Sequence, residues 1–183
     1  VVLTNTILKC VGHPVCVPTG DELSGKDLTG TSLAGVDLSS VDLTGTILTG
    51  ANLSNTNLEN TDLSGKDLTG ASLAGVNLSG KDLTGTILIG ANLSNTNLEN
   101  TDLSGKDLTG AILTDANLPN AILTEANLTD VVLTGAILTS ANLENVVITN
   151  SITECVNLAW QGPPSLELYS LAMSCLTQNL QRR

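Results

Sequence analysis

Leucine stands at every fifth position from Leu23 to Leu143, 25 in succession, and Ile148 continues the register. Leu3, Leu8 and Leu158 keep the same phase outside that run. An α-helix spaces its apolar residues about 3.6 apart and a strand spaces them 2 apart, so a strict period of five belongs to neither. It fits a short extended segment closed by a corner. By two-residue alternation, the small residue two before each leucine shares the leucine's face, and the residue between them points away. Two after the leucine, most units carry Gly or Asn, as at Gly25, Asn55 and Gly65. Both tolerate the left-handed backbone of a tight turn. Repeating the unit makes the chain wind, with leucine inside and Asp, Asn, Thr and Ser outside.

A longer repeat sets the size of the coil. Residues 26–65 and 66–105 agree at 35 of 40 positions, and a third copy begins at Lys106. A duplication that leaves every face in place spans whole coils. Those 40 residues make two coils of four units, and no whole number of coils of three. The coil is therefore four-sided, and residues 20 apart stack on one another.

Units such as Ala51-Asn52-Leu53-Ser54-Asn55 and Ala91-Asn92-Leu93-Ser94-Asn95 resemble those of pentapeptide-repeat proteins, over about residues 21–160. The resemblance implies an all-β solenoid, a right-handed quadrilateral β-helix with stacked leucines as a solid core. Uniform leucine at the centre is similar to the more regular cyanobacterial and chloroplast-lumen members; the gyrase-binding members are Phe-richer and less regular. With coils about 4.8 Å apart, residues 21–150 would make a rod of roughly 30 Å. Three parts follow: residues 1–20, an N-terminal coil and disulfide-closed cap loop; 21–160, the solenoid; and 161–183, a linker and capping helix. Open solenoid ends need such caps. Gln161-Gly162-Pro163-Pro164 ends the repeat, Ser165 can cap a helix, and Leu168, Leu171, Ala172, Cys175 and Leu176 fall at helical spacing.

The four cysteines flank the rod: Cys10 and Cys16 before it, Cys155 and Cys175 after it. A disulfide needs Cα atoms within about 7 Å, and roughly 30 Å of coils separates the two groups. Pairing is therefore expected as Cys10–Cys16 and Cys155–Cys175, which points to an oxidising compartment. Two other readings stand beside it: four reduced thiols in a cytosolic protein, and a metal held by Cys10, His13 and Cys16, whose spacing is not a standard zinc pattern.

Composition narrows the function. Phe is absent and Trp160 and Tyr169 are the only aromatics, yet 41% of residues are hydrophobic, so the core is aliphatic and the chain is not a disordered one. A net charge of −11 with seven Lys and Arg argues against direct nucleic-acid binding. No run of apolar residues is long enough to span a membrane, so no membrane insertion is expected. The chain opens Val1-Val2 with no apolar signal core, and any targeting segment is expected to be removed or absent.

Stacking turns the sequence into columns. One reads Glu22, Asp42, Asp62, Asp82, Asp102, then Ile122 and Asn142, a possible acidic stripe for a basic partner. The same aspartates also suit a corner, where a carboxylate hydrogen-bonds its own backbone. A second column carries Ile112, Val132 and Ile152, a possible apolar contact surface or a face covered by the terminal segment. A third, Thr29, Thr49, Thr69, Ile89, Thr109, Thr129 and Thr149, is read as β propensity rather than an ice-binding array, because Ile89 interrupts a single row. Lys26, Lys66, Lys81 and Lys106 occupy the inward small-residue position. A buried unpaired ammonium is prohibitive, so their stems are expected to run out between coils toward Asp carboxylates.

No catalytic, cofactor or metal residues are assigned. The one histidine lies in the N-terminal loop, and no nucleophile motif or phosphate loop occurs. The expected function is a non-catalytic structural or protein-interaction solenoid of the thylakoid lumen or periplasm, with an unidentified protein partner. It would be a monomer, or a dimer through its C-terminal end. The alternative that the resemblance implies is a cytoplasmic acidic DNA mimic that binds gyrase or another type II topoisomerase.

Overall fold

In a computed structural model of the chain, residues 23–153 and 156 are described. The N-terminal loop, the expected capping helix, all four cysteines and Glu22 lie outside the described residues.

Every unit ends in the same corner. In each of the 25 turns from Leu23 to Leu143, the leucine carbonyl accepts the amide three residues on, as in Lys26 N to Leu23 O at 3.0 Å. The residue two after the leucine has positive φ at all 26 positions from Gly25 to Asn150: 14 are glycine and 12 are not. One positive φ at the third residue of a four-residue turn is the type II arrangement, which explains the preference for Gly and Asn. The structure widens that preference to Ser40, Asp115, Glu125, Asp130 and Ser140, at φ between 55° and 60°.

The coil is 20 residues. Sixteen parallel bridges join residues i and i+20, beginning with Asp27 to Ile47 and ending with Val132 to Ile152. Each is an isolated bridge, because a corner follows every five residues and leaves no room for a longer strand. All leucines from Leu23 to Leu143 are buried, and the aliphatic residues at the preceding inward position, such as Val36, Ala51, Ala91 and Val131, are buried with them. Thr46, Thr56, Thr61, Thr86, Thr96 and Thr101 take the same inward place and are buried too. Their hydroxyls are satisfied by leucine carbonyls: Thr46 Oγ1 donates to Leu23 O at 2.8 Å and Thr86 Oγ1 to Leu63 O at 2.8 Å. A buried hydroxyl needs such a partner.

Going round a coil, the four sides are those of Asp42, Asp27, Ser32 and Asp37. The Ser32 side is bridged without a break from Ser32 through Asn52, Ser72, Asn92, Ile112 and Val132 to Ile152. On the opposite side, Asp42, Asp62, Asp82 and Asp102 stack with no bridge between them, and pairing resumes at Asp102 to Ile122. Residue identity tracks the breaks. None of Asp62, Asp67, Asp82, Asp102 and Asp107 is bridged to the residue 20 before it. Among the described residues, one further gap, between Asn57 and Asn77, is open without an aspartate.

Candidate functional site

The chemistry of this rod is on its outside, so the site is built from columns rather than from a pocket. Each aspartate of the acidic column is held by its own corner. The Oδ1 atom accepts the amide two residues on: Thr44 N to Asp42 at 2.8 Å, Ser64 N to Asp62 at 2.8 Å, Thr84 N to Asp82 at 2.8 Å and Ser104 N to Asp102 at 2.9 Å. Asparagines at the same place do likewise, as in Ser54 N to Asn52 at 3.0 Å. The corner therefore uses one oxygen of the group, and Asp and Asn serve it equally.

Asp62, Asp82 and Asp102 are exposed and Asp42 is half-buried. Each carboxyl lies below the ordinary carboxylate range. The hydroxyl two residues on is the main cause, and the same residue's amide comes second. Repulsion from Asp82 acts on Asp62 in the opposite direction and is smaller. The column is therefore ionised at neutral pH: four like charges at coil spacing, each anchored by its own corner amide, with Ser104 Oγ as a second donor to Asp102.

Lysine enters the same region from the inward position. Lys66 Nζ donates to Leu43 O at 2.6 Å, Lys81 Nζ to Thr61 O at 3.1 Å and Lys106 Nζ to Thr86 O at 3.2 Å. The stems do run out between coils, and the three side chains are half-buried. Their hydrogen-bond partners are main-chain carbonyls, not the carboxylates that charge alone predicts. Lys66 reaches the leucine carbonyl 23 residues back, the position that inward threonines such as Thr86 use. Lys81 and Lys106 take the carbonyls that the ladder would present to Asp82 N and Asp107 N. The carboxylates still act at longer range: Asp102 and Asp82 pull the Lys106 pKa up, while partial burial lowers it by more. Nothing in the simple repeat pattern revealed this; stacking Lys81 over Thr61 in 20-residue register is the signal that finds it.

The apolar column is where the stacking expects it. Ile112 and Ile152 are exposed and Val132 is half-buried between them. Ile122, Ile137 and Val147 are exposed on the other three sides of the same coils. Ile47, Ile87 and Ile89 are the exposed isoleucines among the earlier coils described. In the threonine column the hydroxyls serve the corners: Thr29 Oγ1 donates to Asp27 at 2.6 Å and Thr129 Oγ1 to Asn127 at 2.6 Å.

At the open Asn57 and Asn77 gap a polar recess of about 430 Å³ faces solvent, lined by residues that include Asn57, Glu59, Asn60, Asn77 and Lys81. Among the described residues no group of three His, Cys, Asp or Glu could hold a metal ion. The Cys10, His13 and Cys16 set lies outside the described residues. No described helix is long and apolar enough to cross a membrane.

A family model for pentapeptide repeats matches the chain in 8 copies, over residues 22–50, 51–90, 67–105, 91–130 and 111–150. The chain belongs to the pentapeptide repeat family. Members of this family fold as right-handed quadrilateral β-helices, and the four bridged sides are those of such a coil. Among solved structures the chain is similar to QnrB1, a plasmid-mediated fluoroquinolone resistance protein, at 21% identity over 88% of this chain and 93% of that one, with a TM-score of 0.42. It is also similar to the pentapeptide repeat protein Rfr23 of the cyanobacterium Cyanothece, at 31% identity over 86% of this chain and 98% of that one, with a TM-score of 0.29. A pentapeptide repeat protein of the Arabidopsis thaliana thylakoid lumen matches at 31% identity over 67% of each chain, with a TM-score of 0.21. No curated protein sequence matches the chain.

Proposed function

We propose that this pentapeptide repeat protein is a non-catalytic interaction rod that presents the Asp42, Asp62, Asp82 and Asp102 column to a basic protein partner. One observation carries the reading: the four carboxylates are ionised, three of them exposed and Asp42 half-buried, and each is anchored by its own corner, so their spacing is set before a partner arrives. A preorganised array loses little conformational freedom on binding. The leucine-filled interior supports the absence of catalysis, since reacting groups need a site that excludes water. Ile112, Val132 and Ile152 form the second contact surface of the proposal.

The ends complete the reading. The last leucine of the run, Leu143, is followed by Val146 and Ile148, which are only partly buried. A C-terminal cap over residues 161–183 would cover this end. Cysteines placed only beyond the two ends support export to the thylakoid lumen or periplasm, as disulfides persist in oxidising compartments.

The test is a pull-down at low salt with the native protein and with a variant carrying Asp42→Asn, Asp62→Asn, Asp82→Asn and Asp102→Asn. Loss of the captured protein in the variant supports the acidic surface. Equal capture removes the column from the binding surface. Capture of gyrase together with inhibited supercoiling would support the DNA-mimic alternative, which the net charge of −11 favours.

A further inference from the structure

The open gaps spare one side of the coil. One falls on the Asp37 side, two on the Asp27 side and three on the Asp42 side, while the side opposite these three, from Ser32 to Ile152, is bridged at every level. Across the first and third of the three, the corner bond is missing as well. Elsewhere up to Asp130 that bond joins a corner amide to the next coil, as in Gly25 N to Thr44 O at 2.7 Å, except at Asn60 N beside the Asn57 and Asn77 gap; neither Gly45 N nor Gly85 N has a main-chain acceptor. The middle gap keeps it, with Gly65 N to Thr84 O at 2.8 Å. Those coils are therefore tied along one side and nearly untied along the other.

Side-chain chemistry accounts for the three gaps on the Asp42 side. An asparagine stacked on another can donate up the column, as Asn117 Nδ2 does to Asn97 Oδ1 at 3.1 Å. Such a bond draws the coils together. Aspartate has no donor to offer, and a carboxylate above a carboxylate repels it. Lysine adds to the effect in the middle gap, because Lys81 Nζ occupies Thr61 O, the carbonyl that Asp82 N would otherwise reach. Where Ile122 follows Asp102, the bond returns: Ile122 N donates to Thr101 O at 3.0 Å and Leu103 N to Ile122 O at 2.7 Å.

We propose that residues 42–102 form a one-sided flexure, hinged along the Ser32 side and held open along the Asp42 side by like charges. The charged groups on or beside that seam are Asp42, Asp62, Asp82 and Asp102, with Lys66, Lys81 and Lys106 at the inward positions and Asp67 and Asp107 on the neighbouring side. Screening these charges brings the coils together on the open side and changes the curvature of the rod. The flexure is independent of any partner.

Amide hydrogen exchange read residue by residue tests it. At low salt the amides of Asp62, Asp82, Asp102, Leu43, Leu63 and Leu83 should exchange at least about tenfold faster than those of Asn52, Ser72 and Asn92 on the hinge side. In about 1 M salt, where the screening length is about 3 Å, that ratio should fall toward one. The variant Asp62→Asn, Asp82→Asn, Asp102→Asn should show the same fall at low salt, since asparagine keeps the corner bond and adds a donor. Lys81→Thr should slow exchange at Asp82 alone by freeing Thr61 O. Equal exchange on both sides of the native rod would overturn the flexure. A fast seam that neither salt nor the Asn variant slows would overturn the role of charge.

Discussion

The coils from Lys26 to Lys106 and those from Ala111 to Ile152 share one core and differ in how they are tied. In the first region the inward position alternates among Lys, Thr, Val and Ala, the outward position is often Asp, and six levels of the ladder are open. In the second the inward position is Ala or Val up to Val146, no outward position before a leucine is Asp, and every described level is bridged. A filled leucine core is thus sufficient to wind the coil but not to zip it. At five of the six open levels the outward residue of the later coil is an aspartate, and at the sixth it is Asn77.

The largest effect that sharpens the contrast comes from the core. Leu83→Ala and Leu123→Ala should each cost about 2–5 kcal/mol through the cavity left behind. Leu83 lies on the open Asp42 side and Leu123 on the zipped continuation of the same side. Open coils can settle into the cavity more easily, so Leu83→Ala should fall nearer the lower end in denaturant unfolding. Equal losses, or the reverse order, would break the link between an open ladder and compliance.

Corners come next. Gly65→Ala forces alanine into left-handed backbone at φ 66°, with nothing near the new methyl group, and should cost about 1–2 kcal/mol. Gly75→Ala and Gly135→Ala add a collision with Asn55 Oδ1 and Asp115 Oδ1 respectively. Each should lose more than Gly65→Ala in thermal unfolding. The excess should be smaller at Gly75, where the Asn57 and Asn77 gap gives Asn55 room to swing.

Acid should act on one region first. Asp27, Asp37, Asp42, Asp62, Asp67, Asp82, Asp102 and Asp107 all titrate below the ordinary range, chiefly because the hydroxyl two residues on favours the ionised form. A folded pKa below the unfolded one gives stability that is complete above the unfolded value, about 3.9 for aspartate, and lost as pH falls through the folded value. Protection of the bridged amides, those outside the Asp42 seam, should therefore fall first in the coils up to Asp107 as pH drops below about 4. Simultaneous loss along the whole rod would contradict this.

The smallest effect is the control. Thr84 is exposed, and Thr84→Ala should change stability by less than about 0.5 kcal/mol. A loss comparable to that of Leu83→Ala would overturn the inward and outward assignment of the whole repeat.

The winding itself was legible from the sequence. The leucine period gives the inward face, the forty-residue duplication gives the four-sided coil, and the Gly and Asn corners give the left-handed backbone. These are properties of single units or of exact copies. The ladder breaks were not legible, because they depend on pairs of residues in successive coils, such as Asp82 with the carbonyl of Thr61. The destination of the lysines was missed for the same reason. Charge alone directs Lys81 to a carboxylate, whereas the coil beneath it puts a free carbonyl nearer. The terminal expectations, including the Cys10–Cys16 and Cys155–Cys175 pairs, concern residues outside those the structure describes.

The described bridges run only between residues 20 apart, and this makes the length of the rod a free variable. Removing residues 66–105 would bring Lys106-Asp107 to the place of Lys66-Asp67, above a coil that differs from its present one only in Thr49 for Ile89. The molecule would be shorter by about 10 Å and otherwise locally unchanged. The near-identity of the two forty-residue copies is what lengthening by such whole steps would leave behind. A gene that gains or loses forty codons at this point resizes a ruler, and no folded neighbourhood has to be invented for the new length.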